Sequence, residues 1–288
     1  MKHTLLLCLL LQCSLTFAQK PTSATQFTGF FKADSACIKG KINGFDYNQK
    51  DLNGLLYLSN EITREDYPIV IDIDNNGQFE SKFQLYYPTE AYMLLNERFP
   101  VYFYIEPGEK LDIEVDRNNP MDTKFVSASA EICQMKMIIR NMFRIPYQEF
   151  SNMQKTIAPD QFKQEQLIRE KEWNQQADSV IAANHFTEKT NHLLKKSVEL
   201  RNANYYFDFL MSRSYYASQD TANKVLTIQE DSTYYDFLKN MDLNDLSLLS
   251  DNDGSTFVNR FEYMNPIMNR SANNRITQKY TKNNLLNY

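Results

Sequence analysis

Asp72-Ile73-Asp74-Asn75-Asn76-Gly77 matches the first half of the D-x-[DN]-x-[DN]-G calcium loop, in which alternating oxygens converge on a hard cation and glycine permits the sharp turn. Asp72, Asp74 and Asn76 are its candidate ligands. The second half of the motif fails, because Phe83 stands where the bidentate acid belongs and the flanks alternate like strands. A hairpin turn accounts for the same letters. Histidine offers less. His185 and His192, seven apart, would lie near one face of a helix, but no third ligand stands at metal spacing and no H-E-x-x-H occurs. There is no G-x-S-x-G elbow for a nucleophilic serine. Acid pairs such as Glu61 with Glu65 and Asp66, or Glu170 with Glu172, have the types needed for general acid and base, yet such runs ordinarily solvate exposed faces. No catalytic constellation is nominated, and no metal or cofactor is expected.

The start of the chain bears on its thiols. Met1-Lys2-His3, an apolar run from Thr4 to Phe17 and the small residues Thr16 and Ala18 describe a secretory signal peptide cut after Ala18. That run is shorter than the roughly 20 residues a membrane span needs, so the expected product is exported to the periplasm or cell envelope with no span in the mature chain. Cleavage removes Cys8 and Cys13, leaving Cys37 and Cys133, 96 positions apart. In an oxidising compartment these two form a candidate disulfide, worth about 4 to 5 kcal/mol in the chain-entropy view; the alternative is two separate buried thiols. No C-x-x-C is present, so the chain lacks the paired thiols of dithiol exchange.

Composition narrows the remaining classes. The 288 residues include only 7 glycines, and neither G-x-G-x-x-G nor G-x-x-x-x-G-K-[ST] occurs, which argues against Rossmann and P-loop nucleotide enzymes. A net charge of -5 with both signs interspersed leaves no basic footprint for nucleic acid.

The elements that would position any site change character along the chain. After a polar leader over 19–36, residues 37–117 read with period two: Ile69, Ile71 and Ile73; Phe79, Ser81, Phe83 and Leu85; Leu111, Ile113 and Val115. Asp74 to Gly77 and Pro107-Gly108 punctuate about seven strands, the spacing of an antiparallel β-sandwich-like domain. From 127 to 268 the pattern is helical. Ser127 with Glu131, or Ser129, is placed to cap a helix that Pro146 should stop or kink. A second helix begins at Asp160 with Ile168, Trp173, Ala177, Val180 and Ile181 inward, and a third spans about Glu188 to Met211 with Leu193 through Met211 supplying its apolar face. Shorter pieces fall at Ser232–Met241 and Ser255–Met264, the latter after an Asp251-Asn252-Asp253-Gly254 turn. Residues 269–288 are polar, asparagine-rich and expected to be poorly ordered. The fold class expected is α+β, a sandwich followed by an all-helical domain.

Within the strand Val101 to Ile105, Tyr102 and Tyr104 share the face opposite Val101, Phe103 and Ile105. Both faces being apolar, the tyrosine face requires a cover: the helical half, a partner, or a stacked sugar ring.

Three runs carry a resemblance: Ile38-Lys39-Gly40-Lys41-Ile42-Asn43-Gly44, Asp74-Asn75-Asn76-Gly77-Gln78-Phe79, and Phe103-Tyr104-Ile105-Glu106-Pro107-Gly108-Glu109-Lys110-Leu111-Asp112-Ile113. In that order they resemble the β-rich N-terminal module of exported bacterial TlpA-like thioredoxin-family disulfide reductases, and Ser255 to Tyr263 resembles part of the helical region that follows in longer members. Such members continue into a thioredoxin domain with a W-C-x-x-C site, which this sequence does not contain. The resemblance therefore implies a non-catalytic accessory or partner-docking module, its partner an envelope protein or the missing thioredoxin domain. The competing expectation is a glycan- or peptide-binding envelope protein that uses the Tyr102 and Tyr104 face.

Overall fold

In the computed structural model, residues 29–45, 53–58, 68–95 and 99–264 are described. The signal peptide, most of the leader, the Glu61 to Asp66 acids and the 269–288 tail lie outside them. Eight strands form two four-stranded sheets: β1 (Asp34–Asn43), β2 (Asn53–Tyr57), β3 (Ile69–Asp72), β4 (Gln78–Leu85), β5 (Thr89–Leu95), β6 (Phe99–Ile105), β7 (Lys110–Asp116) and β8 (Lys124–Val126). Sheet order is β4-β1-β7-β8 in one layer and β3-β2-β5-β6 in the other. All pairs are antiparallel except β1 with β7, which run parallel from Cys37 beside Lys110 to Asn43 beside Asp116.

Alternation in the sequence becomes the two sides of each sheet, because successive side chains point to opposite faces. Ile38, Phe79, Leu111 and Ile113 of the first sheet meet Leu56, Ile71, Met93 and Phe103 of the second in a shared core. Burial of this kind contributes roughly 1.5 to 3 kcal/mol for each large apolar side chain. Two strands fall outside the expected register of elements. β1 starts at Asp34, three residues before Cys37, and β8 extends the first sheet past residue 117 by pairing Lys124 to Val126 with β7. β8 is three residues long with half its face in solvent, so its alternation is too short to read.

Among the described residues six α-helices follow: α1 (Ala130–Ile139), α2 (Tyr147–Thr156), α3 (Pro159–Asn184), α4 (Glu188–Met211), α5 (Arg213–Gln219) and α6 (Asn252–Glu262). The expected caps of α1 act elsewhere. Ser129 precedes the helix, but its hydroxyl donates to Glu109 Oε2 at 2.7 Å, and Glu131 accepts from the N–H and hydroxyl of Thr187, the N-cap of α4. The seam of α3 runs through Phe162, Gln166, Trp173 and Ala177, spaced four and seven apart, and this leaves Ile168 62% exposed on the far side. Gln166 sits in that seam because Asn202 of α4 receives its amide at 2.5 Å. Phe162 and Phe209 stack at 4.0 Å across the same pair of helices. At the end of α4, Met211 lies in solvent where an inward position was expected. α6 begins at Asn252, capped by the Asp251 side chain, so Gly254 belongs to a helix and not to a turn.

The helical layer joins the sandwich through α1, which packs on β6. No helix among the described residues is long and apolar enough to cross a membrane.

Candidate functional site

The expected calcium loop is a hairpin turn. Asp74 Oδ1 accepts the N–H groups of Asn76 and Gln78, both at 2.8 Å, and Gly77 supplies φ +75°. With that carboxylate oxygen bound to backbone, Asp74 and Asn76 belong to the turn between β3 and β4, and Asp72 ends β3. No group of three or more His, Cys, Asp or Glu side chains among the described residues is placed to hold a metal ion. The histidines do not share a helix face either: His185 ends α3 in the left-handed conformation at φ 53°, while His192 lies on α4.

Cys37 and Cys133 are both free and buried, which is the unbridged alternative. Cys37 is on the outward face of β1 with its thiol 3.8 Å from Glu80 Oε1. Cys133 is on α1, clamped between the Tyr104 N–H at 3.3 Å and the Tyr104 carbonyl at 3.2 Å. Burial pushes the Cys133 thiol up to about 12, so it is not a thiolate at neutral pH. Peptide mapping under non-reducing conditions should recover the two cysteines on separate peptides, and maleimide should modify Cys133 only after unfolding. A linked peptide pair would contradict this geometry.

The tyrosine face divides. Tyr104 is buried beneath α1 and α4, its hydroxyl donating to Glu106 Oε1 at 3.1 Å. Tyr102 instead joins a ladder across three strands. Tyr57 stacks on Tyr92 at 4.7 Å with rings 8° from parallel, Tyr92 meets Tyr102 at 5.5 Å, and the Arg140 guanidinium lies 4.6 Å over Tyr102. Register places these three tyrosines opposite one another, with Val70, Leu55, Leu94 and Pro100 forming the next row of the same face. Sequence reasoning found only the β6 member, because Tyr57 and Tyr92 become neighbours through strand pairing.

A buried polar cluster ties the two halves together. Lys136 Nζ of α1 contacts Glu90 Oε2 of β5 at 2.8 Å, Asp251 Oδ2 at 2.6 Å and Ser197 Oγ of α4 at 3.0 Å, and Ser197 also donates to Asp251. A serine beside a lysine resembles a nucleophile and base, but the charges forbid that use. Burial alone would lower the Lys136 pKa; Asp251 and Glu90 overcome it and hold the ammonium protonated. With Ser197 1% exposed and both carboxylates engaged, the cluster is a strut.

Beside it, a cleft of 480 Å³ opens between the sandwich and the helices. Lys189 of α4 pairs with Glu106 in its wall. His192 Nε2 lies 3.0 Å from Asp245 Oδ2 and 3.2 Å from Ser247 Oγ. A catalytic triad needs the acid and the serine on opposite ring nitrogens; here both meet the same one, so this histidine does not relay a proton between them. The hydrogen bond that the ring donates to Asp245 raises the His192 pKa. Burial pushes Asp245 up, but His192, Ser247 and Lys196 outweigh it and hold its carboxyl below the usual range. Asp245 also caps the 3-10 turn Leu246–Ser250 that forms the cleft's helical lip. That turn carries no periodic signal, so the site was not legible in the sequence.

No family model matches the chain, and neither a curated protein nor a solved structure matches it.

Proposed function

We propose that this chain is a non-catalytic, partner-docking module of an exported thioredoxin-like system, with the outer face of the β3-β2-β5-β6 sheet as its docking surface. The observation that carries this reading is the ladder Tyr57-Tyr92-Tyr102-Arg140, flanked by a second apolar row in which Val70 is 58% exposed. Amphipathic rings and arginine are the side chains that dominate protein interfaces. The resemblance in the β1, β3-β4 and β6-β7 runs supplies the family context, and the buried Cys133 thiol agrees with a module that leaves redox chemistry to its partner.

The ladder favours a protein over a sugar. Sugar stacking requires an open ring face, whereas Tyr57 and Tyr92 cover each other and Arg140 lies over Tyr102. Ring edges remain to meet a partner. Titrating the purified chain with an exported thioredoxin-like domain from the same organism should give saturable binding, weakened about tenfold or more by Tyr92→Ser combined with Val70→Ser. The chain alone should leave insulin unreduced. Loss-free binding by the double variant would remove the ladder from the interface, and insulin reduction by the chain would overturn the non-catalytic assignment.

A further inference from the structure

The cleft between sandwich and helices has a separate character from the ladder. Its volume of 480 Å³ lies within the roughly 300 to 1,000 Å³ typical of small-ligand pockets. Phe30, Pro88, Leu193 and Leu246 supply its apolar lining. Its polar lining combines Lys189, His192 and the Ser247 hydroxyl with the carboxylates of Glu106 and Asp245. Each cation is already paired with an acid, Lys189 with Glu106 and His192 with Asp245. A charged ligand of either sign would therefore break one of these pairs and face the like charge left behind.

At the back of the cleft stands Ser250. It is 3% exposed, and its Oγ is enclosed against the Tyr104 hydroxyl. Tyr104, whose hydroxyl donates to Glu106, lines the same wall.

We propose that this cleft binds a small, neutral, polyhydroxylated ligand, a single sugar unit or a disaccharide. Sugar hydroxyls donate and accept at once, so they can bond to the Lys189–Glu106 pair and to the neighbouring His192, Asp245 and Ser247 without disturbing either ion pair. The C–H face of the ring rests on Leu193 and Leu246. No covalent step is involved, and the site is independent of the partner docking proposed for the sheet.

The test is saturation-transfer NMR with methyl glycosides and disaccharides of neutral and N-acetylated hexoses, beside a neutral dipeptide amide and inorganic phosphate as competing classes. Two variants locate the site. Asn244→Trp fills the mouth from an exposed lip position, and Tyr92→Ser alters the ladder alone. The expected result is transfer to at least one glycoside, reduced about tenfold or more by Asn244→Trp and unchanged by Tyr92→Ser. A glycoside signal that survives Asn244→Trp, no signal from any glycoside up to about 10 mM, or binding of phosphate or dipeptide in its place would each overturn the proposal. The unchanged circular dichroism melt expected of Asn244→Trp separates ligand loss from unfolding.

Discussion

Lys136→Met is expected to destabilise the protein by about 3 to 5 kcal/mol in urea melts, the range for removing one partner from a buried ion pair. The reason lies in what remains. Glu90 and Asp251 would face each other in a space that excludes water, with the cation that both contact gone. Arg201 is engaged with Asp253 and the Met142 carbonyl, so it does not substitute. The loss has a pH signature. Without Lys136 the two carboxyls have folded pKa values above their unfolded ones, so the variant gains stability as pH falls and protons neutralise the pair. Its deficit against wild type should be largest near pH 7 and narrow toward about pH 4 to 5. Adding Glu90→Gln and Asp251→Asn to Lys136→Met should recover part of the loss at pH 7. A single variant within about 1 kcal/mol of wild type would mean that water reaches the cluster.

Gly254→Ala should reverse the usual helix rule. In an exposed helix interior this exchange stabilises by about 1 kcal/mol. Here the added Cβ would lie 1.7 Å from the Leu248 carbonyl oxygen, because the first turn of α6 packs directly on the 3-10 turn before it. A backbone carbonyl has no rotamer by which to retreat. The expected cost is about 3 kcal/mol, the upper end of overpacking penalties, lowering Tm by roughly 6 to 12 °C. Because Asp251 stands between the two turns and holds Lys136, the shift should also loosen the strut. A Tm at or above wild type would show that the two turns separate easily.

These two sites also mark where sequence reasoning ends. Strands with strict alternation, β4 and β7 above all, were legible because burial on one face writes a period of two into the residues. The long helix α4 was legible from the helical spacing of Leu193, Leu194, Val198, Phe207 and Leu210, although it is buried on nearly every side. α2 was not, since its ten residues bury two polar side chains, Ser151 and Gln154, and Gln154 is held by the Asp208 carbonyl at 2.7 Å. Gly254 looked like a turn residue because glycine, aspartate and asparagine sit together; its role comes from contact with Leu248, which no local pattern encodes. The same holds for the site residues. Glu90, Lys136, Ser197 and Asp251 come from four distant segments, and each alone reads as an ordinary surface residue.

The parallel seam between β1 and β7 bears on how the chain folds. β1 pairs with β4 on one edge, but its other edge waits for β7, which follows β2 through β6 in the chain. Until then a ten-residue strand presents open backbone donors and acceptors beside an uncovered apolar layer. Closing so distant a pair is slow by comparison with the local contacts of α3 and α4. The vulnerable interval in folding is therefore the wait for Lys110 to Asp116, and a chain in which that segment has not yet docked carries an unfinished sheet edge open to a second copy.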